Sequence, residues 1–116
     1  MTVTPRFEVT ETGLASVVRV TGEIFVDNRE PLLAVLLDLA NAAPGRIVLD
    51  LAGVPVCDSG ALNMLVQAQR AAAHTGGWVR LVAPTAMVRR VLGVTNLDQL
   101  MPIYPDVEAA QRDGRA

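Results

Sequence analysis

Arg46-Ile47-Val48-Leu49-Asp50-Leu51-Ala52-Gly53-Val54-Pro55-Val56-Cys57-Asp58-Ser59-Gly60-Ala61 is the stretch from which the fold can be read. Ile47 to Leu51 is short, almost wholly apolar and partly β-branched. That composition suits a strand buried on both faces, and such strands belong to sheets covered by helices. Ala52-Gly53-Val54-Pro55 makes a turn, and from Ala61 onward the apolar residues recur at helical spacing. Leu62, Leu65, Val66, Gln69 and Ala72 form an inward stripe, with Asn63, Gln67, Arg70 and His74 on the opposite side. Gly76-Gly77 ends the helix. Asp58 or Ser59 is expected to cap its start, because either side-chain oxygen can accept from the free N–H groups of the first turn. The order strand, turn, helix puts Asp58-Ser59-Gly60 at a sheet edge, where the sites of α/β folds gather.

Working outward, Phe7 to Thr12 and Ser16 to Thr21 alternate in polarity around Glu11-Thr12-Gly13, which predicts a β-hairpin. Beyond Ile24-Phe25-Val26, Asp27 or Asn28 is expected to cap a helix whose first turn tolerates Pro31. Its apolar stripe is Leu32, Val35, Leu36, Leu39 and Ala43, and Pro44-Gly45 stops it. On the other side, Trp78 to Val82 reads as a strand. Pro84-Thr85 opens a third helix that turns Val88, Val91 and Leu92 to the sheet and is capped by Gly93. Asn96 caps a short turn through Leu100, Met101 to Tyr104 reads as an edge strand, and Asp106 caps a last helix to about Arg112. Strands alternating with helices predict an α/β sandwich in one domain, residues 1–116: a mixed sheet of four to five strands opening with a hairpin, carrying about four helices.

Composition narrows the function. At 116 residues, 51% of them hydrophobic, the chain has an ordinary core to build, but aromatics are only 3% and offer no stacking platform for bases. Ten Arg and no Lys, spread along a chain of net charge −2, make no basic stripe, so no nucleic-acid partner is expected. No apolar run approaches the length that spans a bilayer, and Met1 to Arg6 lacks the plan of a signal peptide. A cytoplasmic location without membrane association is the expectation. The one Cys fits a reducing compartment.

Enzyme chemistry finds little support. Ser59 and Cys57 are the candidate nucleophiles and His74 is the sole imidazole, fifteen residues beyond Ser59. On a continuous helix that is roughly 20 Å at 1.5 Å per residue, outside the hydrogen-bond reach a catalytic dyad needs. Cys57 stands where the first glycine of Gly-x-Ser-x-Gly would be. One Cys, one His and scattered carboxylates have no metal-ligand spacing, and a chain without Lys has no phosphate-binding Gly-Lys loop. No cofactor or metal is expected. Cys57 reads as a small buried hydrophobe, and Arg89 and Arg90 as a solvated face, since adjacent helical residues diverge by about 100°.

Asp50-Leu51-Ala52-Gly53-Val54 followed by Cys57-Asp58-Ser59-Gly60-Ala61-Leu62 resembles the STAS domain of bacterial anti-sigma factor antagonists. In that family a strand ending Asp-Leu-Ser-Gly-Val leads to Asp-Ser-Ser-Gly-Leu, and a partner kinase phosphorylates the first of the two serines. Ser59 falls on that position. The likeness runs from about Phe7 to Ala110 and includes Leu81-Val82-Ala83-Pro84, Val88 to Leu92 and Gly93 to Leu97. Gly60-Ala61 stands where the family has Ser-Gly, and Phe25 where it commonly has Asp. The resemblance implies a non-enzymatic module of partner switching. Unphosphorylated, it binds an anti-sigma factor kinase and frees a sigma factor; phosphorylation at Ser59 ends the binding, and a Ser/Thr phosphatase restores it. The expected docking surface is Asp58, Ser59 and Gly60 with Asn63, Gln67 and Arg70, which share the solvent side of the helix that Ser59 opens. Two alternatives stand beside this one: a kinase-independent STAS subunit of a lipid-transport ABC complex, and a small serine hydrolase using Ser59.

Overall fold

The structure, a computed structural model, describes residues 3–114. β3 (Arg46–Gly53) occupies the centre of a five-stranded sheet, and its residues show why. Ile47, Val48, Leu49 and Leu51 are each at most 2% exposed, so the strand can sit only where both of its faces are covered. Burying side chains of this size contributes about 1.5–3 kcal/mol each. β1 (Arg6–Glu11) and β2 (Ser16–Thr21) form the expected hairpin, with Val9 opposite Val18 and Phe7 opposite Val20. β2, β3, β4 (Trp78–Val82) and the two-residue β5 (Ile103–Tyr104) run parallel, in the spatial order β1-β2-β3-β4-β5. The sheet is mixed, as the alternation of elements predicted.

The two faces of the sheet carry unequal loads. α1 (Glu30–Asn41), α2 (Ser59–His74) and α3 (Ala86–Val94) cover one face, where Val18, Ile47, Leu49, Leu51 and Leu81 meet Leu36, Leu65 and Leu92. On the other face α5 (Val107–Arg112) covers Val48, Val82 and Tyr104. Arg80 fastens it there: buried, with its guanidinium 3.7 Å from the centroid of the Trp78 ring, it donates to the Ala110 carbonyl at 2.8 Å. The short turn at Leu97–Leu100 is itself one turn of helix, α4, so the described residues hold five helices.

Four details depart from the sequence reading. α2 buries Met64 and Ala68 along with Leu62, Leu65 and Ala72, while Val66 and Gln69 are only half-buried, so its inward stripe is turned from the one expected. α1 buries Leu32, Leu33, Leu36 and Ala40, while Val35 and Leu39 are only half-buried and Ala43 is exposed. The helix is apolar nearly all round and packs on α2 as well as the sheet, so spacing alone could not choose the buried face. Neither Asp27 nor Asn28 caps α1; Arg29 stands at the N-cap position without a side-chain cap bond. Gly93 is not the end of α3, which continues to Val94, and the left-handed residue after it is Asn96 at φ 60°.

Candidate functional site

Beyond the carboxyl ends of β2 and β3 the two following segments stay in contact. Ile24 and Cys57 form an isolated parallel bridge, and the Asp58 N–H donates to the Ile24 carbonyl at 3.3 Å. This draws the loop 24–29 across the start of α2. There Asp58 is the N-cap, extended at φ −108° and ψ −175°, with its Oδ1 accepting from the Ala61 N–H at 3.1 Å. Its Oδ2 accepts from the Val26 N–H, also at 3.1 Å, so one carboxylate secures both the helix and the loop. Partial desolvation pushes the Asp58 carboxyl up, but the N–H groups of Val26, Ala61, Gly60 and Asp58 itself outweigh it. The net result holds the group below the usual carboxylate value. With capping assigned to Asp58, the helix starts at Ser59 rather than Ala61, and Ser59 is exposed as its first residue.

Gly60 explains how closely the loop lies. A Cβ on Gly60 would stand 2.4 Å from the Val26 Cβ and 2.6 Å from its Cα, so this loop position and a side chain at residue 60 exclude each other. Val26 itself is 59% exposed beside Ser59. Asn28 gives the loop its shape. Its Oδ1 accepts from the Phe25 N–H at 2.7 Å, and its Nδ2 donates to the Glu23 and Val3 carbonyls at 3.0 and 2.9 Å. Arg29 then reaches onto α2, its Nη1 donating to the Gly60 carbonyl at 2.5 Å and to Asn63 Oδ1 at 3.3 Å. Asn63 Oδ1 also accepts from Gln67 Nε2 at 2.7 Å. Of the six residues expected at the docking surface, the structure therefore gathers Asp58, Ser59, Gly60, Asn63 and Gln67 around the first turns of α2, but Gly60 is buried under Val26 and offers no surface of its own, so Val26 takes its place there. Arg70 is exposed further along the same helix. A shallow groove of about 800 Å³, lined by Pro5, Gly22, Phe25, Val26 and Asp27, opens against Asp58. Val26, Asn28 and Arg29 are the contributors that the sequence reading missed. The one cue it contained was the Asp27-Asn28 pair, which it took for a helix cap.

A profile of the STAS domain matches residues 6–110. The chain belongs to the STAS domain family. Two Thermotoga proteins named among the anti-sigma factor antagonists, from Thermotoga neapolitana and Thermotoga maritima, are 34% and 33% identical to it over 73 and 78 residues. Those matches take in 63% and 67% of this chain and 65% and 69% of theirs, about two thirds of the relatives' length. The crystal structure of an anti-sigma factor antagonist from Mycobacterium paratuberculosis superposes with a TM-score of 0.83, at 27% identity, over 95% of this chain and 96% of that one. The phosphorylated form of the Bacillus cell fate determinant SpoIIAA shares the fold, with a TM-score of 0.72 at 21% identity over 92% and 98% of the two chains.

Within this STAS domain the side chains of the remaining candidates take no part in the hydrogen bonds described around Asp58 and Arg29. α2 is continuous over its sixteen residues, which puts His74 about 22 Å along the axis from Ser59 and leaves no Ser–His pair within one chain. Cys57 was expected to be buried but is half-buried, because its bridge to Ile24 lies at the rim where β3 has already ended; its thiol packs against the edge of the core. Burial, and then the charge of Asp58, push that thiol up from its ordinary value. Arg89 and Arg90 are both exposed on α3. Among the described residues no group of three or more His, Cys, Asp or Glu side chains could hold a metal ion. Nor is any helix long and apolar enough to cross a membrane.

Proposed function

We propose that this STAS protein is an anti-sigma factor antagonist working by partner switching, with Ser59 as the phosphorylated switch. The unphosphorylated surface around Ser59 docks an anti-sigma factor kinase and so frees a sigma factor. Phosphorylation of Ser59 ends the complex, and a Ser/Thr phosphatase reverses it. The observation that carries this reading is the division of labour between Asp58 and Ser59. The carboxylate is engaged by the Ala61 and Val26 N–H groups, while the neighbouring hydroxyl is exposed at the first position of the helix. A serine needed only as a cap would be bonded in the place that Asp58 occupies.

Phosphate at this position acts on the interface rather than on the fold. A phosphoserine brings about −1.5 to −2 charges, and the start of a helix favours negative charge by up to ~2 kcal/mol. A partner packed on Ser59 would instead have to desolvate that charge beside Asp58. If this costs ~3 kcal/mol, affinity falls about a hundredfold. That SpoIIAA keeps the same fold in its phosphorylated form agrees with a fold that tolerates the group. The test is incubation with a cognate anti-sigma kinase and ATP, phosphate mapping by mass spectrometry, and titration of the partner before and after. Phosphate on Ser59 with a loss of binding near a hundredfold is the expected result. Phosphate on another residue, or affinity indifferent to phosphate on Ser59, would overturn the proposal.

A further inference from the structure

Arg29 reaches the phosphorylatable turn from a different element, and its guanidinium is only partly engaged there. Its Nη1 lies between the Gly60 carbonyl and Asn63 Oδ1, and its Nε is buried without a hydrogen-bond partner among the described residues. Ser59 and Asn63 are four apart on α2, so their Cβ atoms are about 5–6 Å from each other on one face. Helical side chains also lean toward the N-terminus, which lays Asn63 over the turn that Ser59 begins. A group 3.3 Å from Asn63 Oδ1 is therefore within a side-chain rotation of a phosphate on Ser59. Asp58 stands on the same turn, and Asp27 and Glu30 lie within two residues of Arg29 in sequence. All three are acidic, and Arg29 is the cation that the described contacts bring to this turn.

Building on the reading of Ser59 as the switch, we infer that Arg29 receives the phosphate in cis and lets go of Asn63 in doing so. The exchange is favourable in direction. Arg29 now shares the neutral amide oxygen of Asn63 with Gln67 Nε2, whereas a phosphate offers a doubly charged acceptor matched to the planar guanidinium fork. The guanidinium makes the bond to Asn63 charge-assisted already; with phosphate the acceptor is ionised as well and can take two parallel N–H bonds from the fork, where the amide oxygen takes one. Phosphorylation then changes the docking face in two ways. It adds charge at Ser59, and it frees the Asn63–Gln67 pair from the anchor that orders it in the unphosphorylated protein. This assigns Arg29 as a positioning residue of the switch, one that acts through Asn63.

The experiment installs phosphoserine at position 59 of the full chain by genetic-code expansion, so that no kinase is required. The phosphorus NMR signal is then titrated in the wild type, Arg29→Gln and Arg29→Lys. A cation in contact favours the dianion, so the phosphate of the wild type should titrate about half a pH unit or more below that of Arg29→Gln, with Arg29→Lys between them. The Asn63 side-chain amide signals of the wild type provide a second readout, with the backbone amide spectrum of Arg29→Gln as the control for its fold. They should shift on phosphorylation toward the positions they hold in unphosphorylated Arg29→Gln. Identical titrations in wild type and Arg29→Gln, or Asn63 signals unmoved by the phosphate, would overturn the inference while leaving Ser59 as the switch. A kinase that ignores Ser59 would overturn the switch itself without touching this measurement.

Discussion

The two ends of α2 are fastened by the same kinds of part and left in opposite conditions. At the carboxyl end the Thr75 hydroxyl lies 2.8 Å from the Ala40 carbonyl and accepts from the Gly45 N–H at 3.0 Å, and Gly76 turns the chain at φ 80°. The Gly76 and Gly77 N–H groups close the helix on the Ala73 and Ala72 carbonyls. At the amino end Asp58 does the capping and Gly60 admits Val26, yet Ser59 is exposed and Arg29 keeps a buried nitrogen without a partner among the described residues. One end uses its polar groups to join α1, β3 and α2 to each other; the other holds some of them available. The difference teaches that the carboxyl end is the anchor, which fixes the helix so that the amino end can present a chemically uncommitted turn.

The largest expected effect tests whether the anchor is the stiffer end. A Cβ at Gly77 would stand 2.1 Å from the Gly45 carbonyl oxygen, and that oxygen is itself bonded to the Trp78 N–H, so backbone would have to move against backbone. Gly77→Ala should lower stability by about 3 kcal/mol, the upper range of overpacking effects. At Gly60 the clash is with Val26, which with Asp27 forms the exposed tip of its loop and can retreat by giving up its bond to Asp58. Gly60→Ala should therefore lose only about 1–2 kcal/mol. Urea unfolding of both variants decides the matter, and equal losses would mean that the two ends are equally rigid.

A pH series sharpens the same contrast. The folded protein holds the Asp58 carboxyl below its ordinary value, so the folded state binds its proton less readily than the unfolded chain does. The stabilisation is fully present above the unfolded carboxyl's value, about 3.9, and is lost as pH falls through the lowered folded value. The stability difference between wild type and Asp58→Asn should accordingly shrink across that acid window and stay level from about pH 5 upward. Thr75→Val at the other end removes a group that does not titrate, and its cost should not vary over the same range. A difference for Asp58→Asn that stays constant into strong acid would show that the carboxylate's charge contributes nothing to the cap.

How much of this was legible in the sequence follows from how far each signal reaches along the chain. β3, α2 and β4 were readable because their evidence is local: a run buried on both faces, a stripe at helical spacing, and a pair of glycines. Asp58 was readable as one of two caps, and the choice against Ser59 depended on Val26, 32 residues away, donating to the second carboxylate oxygen. Arg29 was not readable at all. Nothing in Asn28-Arg29-Glu30-Pro31 says that the guanidinium will cross to Gly60 and Asn63, because that contact exists only once the Ile24–Cys57 bridge has brought the two loops together. The glycine at position 60, a departure from the family's usual serine when read along the chain, becomes intelligible from the position of Val26.

The smallest effect on stability belongs to the exposed face of α2, where the comparison of the two ends becomes a gradient. Asn63, Arg70 and His74 lie about 6, 16 and 22 Å along the axis from Ser59, and all three are exposed. None of them is a core residue, so Arg70→Glu and His74→Ala should each change stability by less than about 0.5 kcal/mol. Asn63→Trp places bulk on the turn that Arg29 and Gln67 both contact, and its effect on fold stability should be only slightly larger. Affinity for the anti-sigma partner should behave differently. If the partner is centred on Ser59, Asn63→Trp should weaken binding most, Arg70→Glu about tenfold, equal to 1.4 kcal/mol, and His74→Ala not measurably. Calorimetric titration of the three variants against one partner would rank them, with thermal unfolding as the control for the fold. A His74→Ala loss as large as that of Asn63→Trp would move the interface to the anchored end and remove the reason for holding the other end open.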